Sequence, residues 1–269
     1  MLVKSIHVAL LSLAIAGAAH AQVQDTIANK SPLLTGRDAL ILGGFTLATV
    51  AVAPVDKHFA DRLQNPATQE NRFLRTSATS FRLLGSPGSF ITGVSLYVIG
   101  RADGQRRVED LGLHSVESML LGALIGGGIK VLAGRARPYA DIKNPNSFQL
   151  GRGLSGDEYR SFPSGHSINA FAFASTVSRE TQMWWPHSRW YVGTVMYGGA
   201  SLVALSRMYN NAHWASDVVA GAAIGTIIGL KVVKFQHSHP GNRIDRPLLR
   251  ANYEPAPRRV PILVTFHFR

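Results

Sequence analysis

Lys130 and Arg137 stand seven residues apart, and Pro138 follows directly. On a helix that spacing is nearly two turns, so both cations fall on one stripe. Pro138 disfavours helical geometry at the residue before it, so the helix is expected to end at Arg137 and to free its side chain over a pocket. A compact ammonium and a forked guanidinium suit the oxygens of a phosphate. Two solvated charges at a helix end would look the same, but Lys130 interrupts the apolar run 120–133, where an unpaired ammonium is costly. A second cluster, Phe162-Pro163-Ser164-Gly165-His166-Ser167, opens the next apolar run. Pro and Ser are ordinary residues at a helix start. Gly165 also lets the backbone approach a ligand, the first-turn N–H groups form an anion site, and His166 beside them is able to donate a proton. In the third cluster Ser206-Arg207 is followed by His213 and then, four residues on, by Asp217. Placed on one helical turn, the carboxylate accepts from an imidazole N–H, fixes the tautomer and leaves the other nitrogen as a nucleophile. A lone His/Asp pair is usually a surface hydrogen bond; three cations, two histidines and a Gly-containing loop, all at helix ends, are not.

These residues need helices to carry them. Apolar stretches occur at 39–54, 90–100, 116–133, 168–177, 190–205 and 218–233, rich in Ala, Leu and Gly and without the alternation and hairpin turns of strands. Asp38 and Ser115 are the expected N-caps, and Ser86-Pro87-Gly88 and Gly134 the expected boundaries. The polar, Gly-containing segment 141–161 between the first two clusters reads as a lid over the pocket. From His237 onward, Pro and Arg accumulate into an irregular tail whose last residues, Ile262, Val264, Phe266 and Phe268, alternate as a short strand. The expectation is an all-α protein: a compact helical bundle of about six core helices at 37–236, preceded by a leader segment at 22–36 and followed by the tail at 237–269.

Residues 1–21 carry Lys4, an apolar run at 8–19 and a small-x-small site at Ala19-His20-Ala21, the pattern of a cleaved export signal. The expected location is therefore exported, in a bacterial periplasm, soluble or membrane-associated, with an integral membrane protein as the remaining alternative. Most apolar runs fall short of the roughly 20 residues of an untilted span. If the signal is cleaved and all six runs cross, 116–133 would return its chemistry to the cytoplasm. The reading therefore leans to a water-soluble or peripheral bundle. The chain has 269 residues, 28 Lys+Arg against 16 Asp+Glu, a net charge of +12 and no cysteine. That excludes disulfide frameworks, thiolate metal sites and a Cys nucleophile, and it suits anionic partners. His237-Ser238-His239 offers two histidines without a third ligand, and is read as exposed rather than as a metal site.

Lys130-x6-Arg137-Pro138, Pro163-Ser164-Gly165-His166 and Ser206-Arg207-x5-His213-x3-Asp217 match without a departure the three-part signature of the type 2 phosphatidic acid phosphatase superfamily. That family includes non-specific acid phosphatases, lipid phosphate phosphatases and vanadium haloperoxidases, and the resemblance covers about 116–233. It implies that Lys130, Arg137 and Arg207 hold the phosphate with Ser164 and the Gly165 backbone. It also implies that His213 attacks phosphorus and becomes phosphohistidine, that Asp217 orients it, and that His166 protonates the leaving oxygen. Neither a metal nor another cofactor is expected, because fixed cations fill the electrostatic role of a divalent ion. The expected activity is that of a phosphoric monoester hydrolase acting on small phosphates or on lipid phosphates and diphosphates. Vanadate would enter only in the haloperoxidase alternative. A non-enzymatic basic bundle on an anionic membrane surface is the other, and nucleic acid has no supporting motif.

Overall fold

The computed structural model describes residues 35–239 and 242–249; the export signal at 1–21 and the alternating strand at 262–268 lie outside the described residues. The described chain is helical and contains no strand. Its helical domain comprises α1 (Gly36–Val52), α2 (Asp56–Leu63), α3 (Arg72–Leu83), α4 (Ser89–Ala102), α5 (Arg106–Ala133), α6 (Gly165–Trp184), α7 (Arg189–Tyr209) and α8 (Ala215–Ser238). A separate small unit contributes one helical turn at Asp245–Leu248.

Helix starts follow local chemistry, though not always the expected residue. Thr35 caps α1, while Asp38 sits in the first turn and accepts from Thr35 N at 2.7 Å and Thr35 Oγ1 at 2.6 Å. Ser115 is no cap: α5 begins nine residues earlier, and Ser115 is buried in its middle. Ser86-Pro87 does mark a break, separating α3 from α4.

The core is built on small residues. Gly221, Gly225 and Gly229 form a stripe at four-residue spacing along α8, facing Ser164, Ile168 and Ala172 of α6. A Cβ at Gly225 would stand 2.3 Å from the carbonyl oxygen of Ile168, so the two backbones meet without side chains between them. The order of facing residues makes α6 and α8 parallel. On its other side α6 runs antiparallel to α5, with Ile168 against Gly122 and Gly126 and Ser118 Oγ 2.9 Å from Thr176 Oγ1. The C-terminal end of α5 and the N-terminal ends of α6 and α8 therefore share one end of the bundle.

Large apolar side chains cover the outside. Leu40, Leu47, Ile91, Val98, Leu120, Leu124, Val195 and Leu205 are all exposed. Asp38–Leu63, Arg72–Ala102, Arg106–Ala133 and Ala215–Ser238 are long and apolar enough to cross a membrane. Apolar runs of 10–18 residues thus underestimated the helices, because polar residues such as Glu109, His114 and Ser115 are buried inside α5 rather than ending it.

Candidate active site

Lys130 lies in the last turn of α5, which stops at Ala133 rather than at Arg137. Gly134 closes the helix with φ 56°, and a Cβ there would meet the carbonyl oxygen of Gln149 at 1.9 Å, so only glycine fits. Arg137 consequently reaches the site from extended chain, not from the stripe of Lys130. Its Nε donates to the Asp157 carbonyl at 2.8 Å and its Nη2 to Asp157 Oδ1 at 2.9 Å. Lys130 Nζ donates to the Arg160 carbonyl at 2.8 Å. Segment 141–161, expected as a lid, is thus folded as a wall whose carbonyls and one carboxylate hold the two cations.

Ser164 is the N-cap of α6 and receives the N–H of Ser167. Its own N–H donates to the Asp217 carbonyl at 3.0 Å, which ties the starts of α6 and α8 together. Gly165 faces Lys130: a Cβ there would be 3.6 Å from Lys130 Cε. His166, in the first turn of α6, lies within electrostatic reach of Arg207, His213, Arg137 and Arg82. Arg207, in the last turn of α7, is buried, and its Nε and Nη1 have no hydrogen-bond partner among the described residues. Two buried guanidinium N–H groups without an acceptor are costly unless an anion receives them.

His213 does not sit on the helix of Asp217. It occupies the turn before α8, and Asp217 is in the first turn of that helix. His213 Nδ1 lies 2.8 Å from the Ser161 carbonyl, whereas Asp217 Oδ2 is 3.8 Å away. A carbonyl only accepts, so Nδ1 carries the hydrogen and Nε2 keeps its lone pair. Burial, reinforced by Lys130 and Arg137, pushes the imidazolium of His213 down to about 4. Asp217 acts on this histidine at one remove: its Oδ2 accepts the Ser161 hydroxyl at 2.5 Å and the Trp214 N–H at 2.8 Å. Its Oδ1 accepts from Arg135 Nη1 at 2.5 Å.

Ser161, Arg135 and Asp56 are absent from the sequence reading, yet they frame His213 and Asp217. Arg135 is fully buried and also donates to Asp56 Oδ2 at 2.7 Å, to Ser216 Oγ at 2.8 Å and to the Pro145 carbonyl. Asp56 in turn receives the Ser216 N–H at 2.8 Å. Arg135 is visible in Gly134-Arg135-Ala136-Arg137-Pro138 as a second arginine, but its partner lies 79 positions away and no spacing announces it. Arg82 on α3 is a further cation within electrostatic reach of Arg207. The eight expected residues, Lys130, Arg137, Ser164, Gly165, His166, Arg207, His213 and Asp217, do gather at one end of the bundle.

Residues 111–239 match the model of the PAP2 superfamily. These residues belong to the PAP2 superfamily. The PAP2 domain is 36% identical over 110 residues to a lipid A 1-phosphatase of Porphyromonas gingivalis, covering 41% of this chain and 20% of that protein. It is 27% identical over 143 residues to an undecaprenyl-diphosphatase of Sulfolobus acidocaldarius, covering 53% of this chain and 64% of that protein. The chain thus spans a fifth and just under two thirds of these relatives' lengths. In fold it resembles a transmembrane PAP2-type phosphatidylglycerolphosphate phosphatase from Bacillus subtilis, with a TM-score of 0.57 at 22% identity over 76% of this chain and 97% of that one. LpxE of Aquifex aeolicus gives a TM-score of 0.50 at 22% identity, over 67% of this chain and 95% of that one. Its four apolar stretches and their exposed aliphatic surface mark the protein as membrane-associated, one of the expected locations, rather than as a water-soluble bundle.

Proposed function

We propose that this PAP2 protein removes a phosphoryl group from a membrane lipid phosphate or diphosphate, without a metal, through a phosphohistidine at His213. The observation that carries the reading is Arg207: a buried guanidinium with two nitrogens lacking acceptors, within electrostatic reach of Arg137 and of His166 in the first turn of α6. A phosphoryl group supplies oxygens for all of them. His213 Nε2 attacks phosphorus in line while its Nδ1–H stays on the Ser161 carbonyl, and the P–O bond to the leaving group breaks. His166 donates a proton to that oxygen, and water then cleaves the P–N bond and releases phosphate. The transferring group keeps its negative charge throughout, so the three cations and helix N–H dipoles do most of the stabilising.

The lipid character of the substrate is supported by an apolar cavity of about 300 Å³ lined by Phe81, Gly85, Gly88, Ala170, Gly199 and Val203. Ala170 lies one turn beyond His166 on α6, Val203 one turn before Arg207 on α7, and Phe81 next to Arg82. The cavity therefore begins about 6 Å along α6 from His166 and along α7 from Arg207, where the first carbons of an acyl or isoprenyl chain would enter. The two sequence relatives, a lipid A 1-phosphatase and an undecaprenyl-diphosphatase, support a lipid phosphate. The leader pattern at 1–21 supports an exported protein; a site facing the periplasm then requires that an even number of the apolar stretches up to Lys130 cross the membrane.

His213→Ala decides the matter. Turnover of a lipid phosphate in detergent micelles should fall by at least about 10³-fold, as expected for loss of a nucleophile. Acid-labile, alkali-stable phosphate should be trapped on the wild type and absent from the variant. Unchanged turnover sinks the reading.

A further inference from the structure

A second polar cluster is buried at the opposite end of the same three helices that carry the catalytic residues. His114 of α5, Glu180 of α6 and His237 of α8 bring one ligand atom each to within 4.8 Å of one another. His114 Nδ1 lies 2.6 Å from Glu180 Oε1, and His237 Nε2 lies 3.0 Å from both Glu180 oxygens. Glu180 has 0% exposure and His114 3%, so a carboxylate and an imidazole have been taken wholly out of solvent here. His114 is sixteen residues from Lys130, which places the cluster about 24 Å along α5 from the phosphate site. Nothing in the proposed reaction uses it. His237 belongs to the His-Ser-His pair read as lacking a third ligand; α8 runs on to Ser238, and the fold supplies two ligands from other helices.

We propose that His114, Glu180 and His237 bind a divalent transition-metal ion of the zinc class, stapling the ends of α5, α6 and α8. Two imidazoles and one carboxylate are a three-ligand zinc set that leaves a fourth position for water, whereas magnesium and calcium prefer all-oxygen shells. The fourth position opens on the side of His237, whose side chain is 34% exposed and gives the ion a path in. The geometry requires little movement. An ion about 2 Å from each ligating nitrogen separates two imidazole centroids by roughly 5–6 Å at tetrahedral angles, and the two rings stand 5.6 Å apart, nearly perpendicular at 81°. The two histidine–carboxylate pairs, now 2.6–3.0 Å apart, need to spread by less than about 1 Å to reach the edge of such a tetrahedron, and the two ring nitrogens already lie within 4.8 Å of each other. Asp110, one turn before His114 and paired with Arg106 at 2.8 Å, adds negative charge within reach of the cluster.

The test uses tag-free, full-length protein in detergent, stripped with chelator and then titrated with Zn²⁺ or Co²⁺. Wild type should retain one Zn²⁺ per chain, gain in Tm on zinc addition, and give the intense visible bands of four-coordinate Co²⁺. His237→Ala, at a partly exposed helix end, should fold but bind Zn²⁺ at least about tenfold more weakly and lose the Tm gain. Glu180→Gln, which keeps hydrogen-bonding capacity and removes the charge, should do the same. Equal zinc retention by wild type and His237→Ala overturns the site, as does a six-coordinate Co²⁺ spectrum. Hydrolysis by zinc-free wild type and His237→Ala should be equal, so failure of the phosphatase reading would show separately as absence of turnover in both.

Discussion

On the proposed reading, His213 owes its reactivity to a backbone carbonyl. The Ser161 oxygen fixes the tautomer, the Ser161 hydroxyl anchors Asp217, and Arg135 holds that carboxylate against Asp56 in a network with no exposed member. The histidine is thus neutral and oriented before any substrate arrives. Its imidazolium is pushed down to about 4, so the nucleophile is lost only as pH falls through that value. We expect the acid limb of kcat/KM, with the substrate's own titration divided out, to lie near pH 4 rather than near the ordinary histidine value of 6.5. A limb at 6.5 would mean that the ring is solvated and that the buried arrangement is wrong. The residues proposed to touch phosphate were legible as a cluster because their types carry the chemistry: cations, a Gly-containing turn and two histidines. The residues behind them were not, since any residue has a carbonyl like that of Ser161, and the Arg135–Asp56 pair joins distant segments. The four-residue spacing of His213 and Asp217 pointed to the right pair through the wrong contact, a helical hydrogen bond where the chain instead makes a turn.

At the scale of the helices, the site depends on how closely α6 and α8 approach. Gly221, Gly225 and Gly229 let the α8 backbone lie on the α6 backbone, and that contact sets the distance between the first turns that carry Ser164, His166 and Asp217. Gly225→Val should therefore cost about 1–3 kcal/mol by overpacking and lower turnover as well, because the start of α6 is displaced. Gly127 of α5 has nothing within 4 Å of its added Cβ. Gly127→Ala should keep turnover and hold or raise the Tm, since alanine favours a helix by up to about 1 kcal/mol over glycine. Thermal unfolding and a lipid phosphate assay on the two variants check both. The existence and order of the helices were readable from apolar runs; their lengths were not. Hydropathy marks residues that dislike water, whereas α5 also buries Glu109, His114 and Ser115 against neighbouring helices. Gly134, expected only as punctuation, is what ends α5 and frees Arg137 from the helical stripe.

For the molecule as a whole, the excess of positive charge now has one assigned share, the cations around the phosphate pocket, and the apolar exterior accounts for a mean hydropathy of +0.07 that composition alone left ambiguous. The absence of cysteine makes the orientation directly measurable. Leu150, on the wall segment, is 88% exposed, so Leu150→Cys should be labelled by a membrane-impermeant maleimide on intact cells if the site faces outward. Labelling only after lysis would place the site on the cytoplasmic face. The clustering of Lys130, Arg137, His166, Arg207 and His213 at one end of the helices has a consequence beyond catalysis. A headgroup reaches them only at that membrane face, so on the proposed reading the enzyme draws on a single leaflet. The same lipid on the other side is invisible to it until something else carries it across. Turnover of a given lipid would then report not the total amount in the membrane but its sidedness, with the rate of lipid transfer between leaflets setting the ceiling.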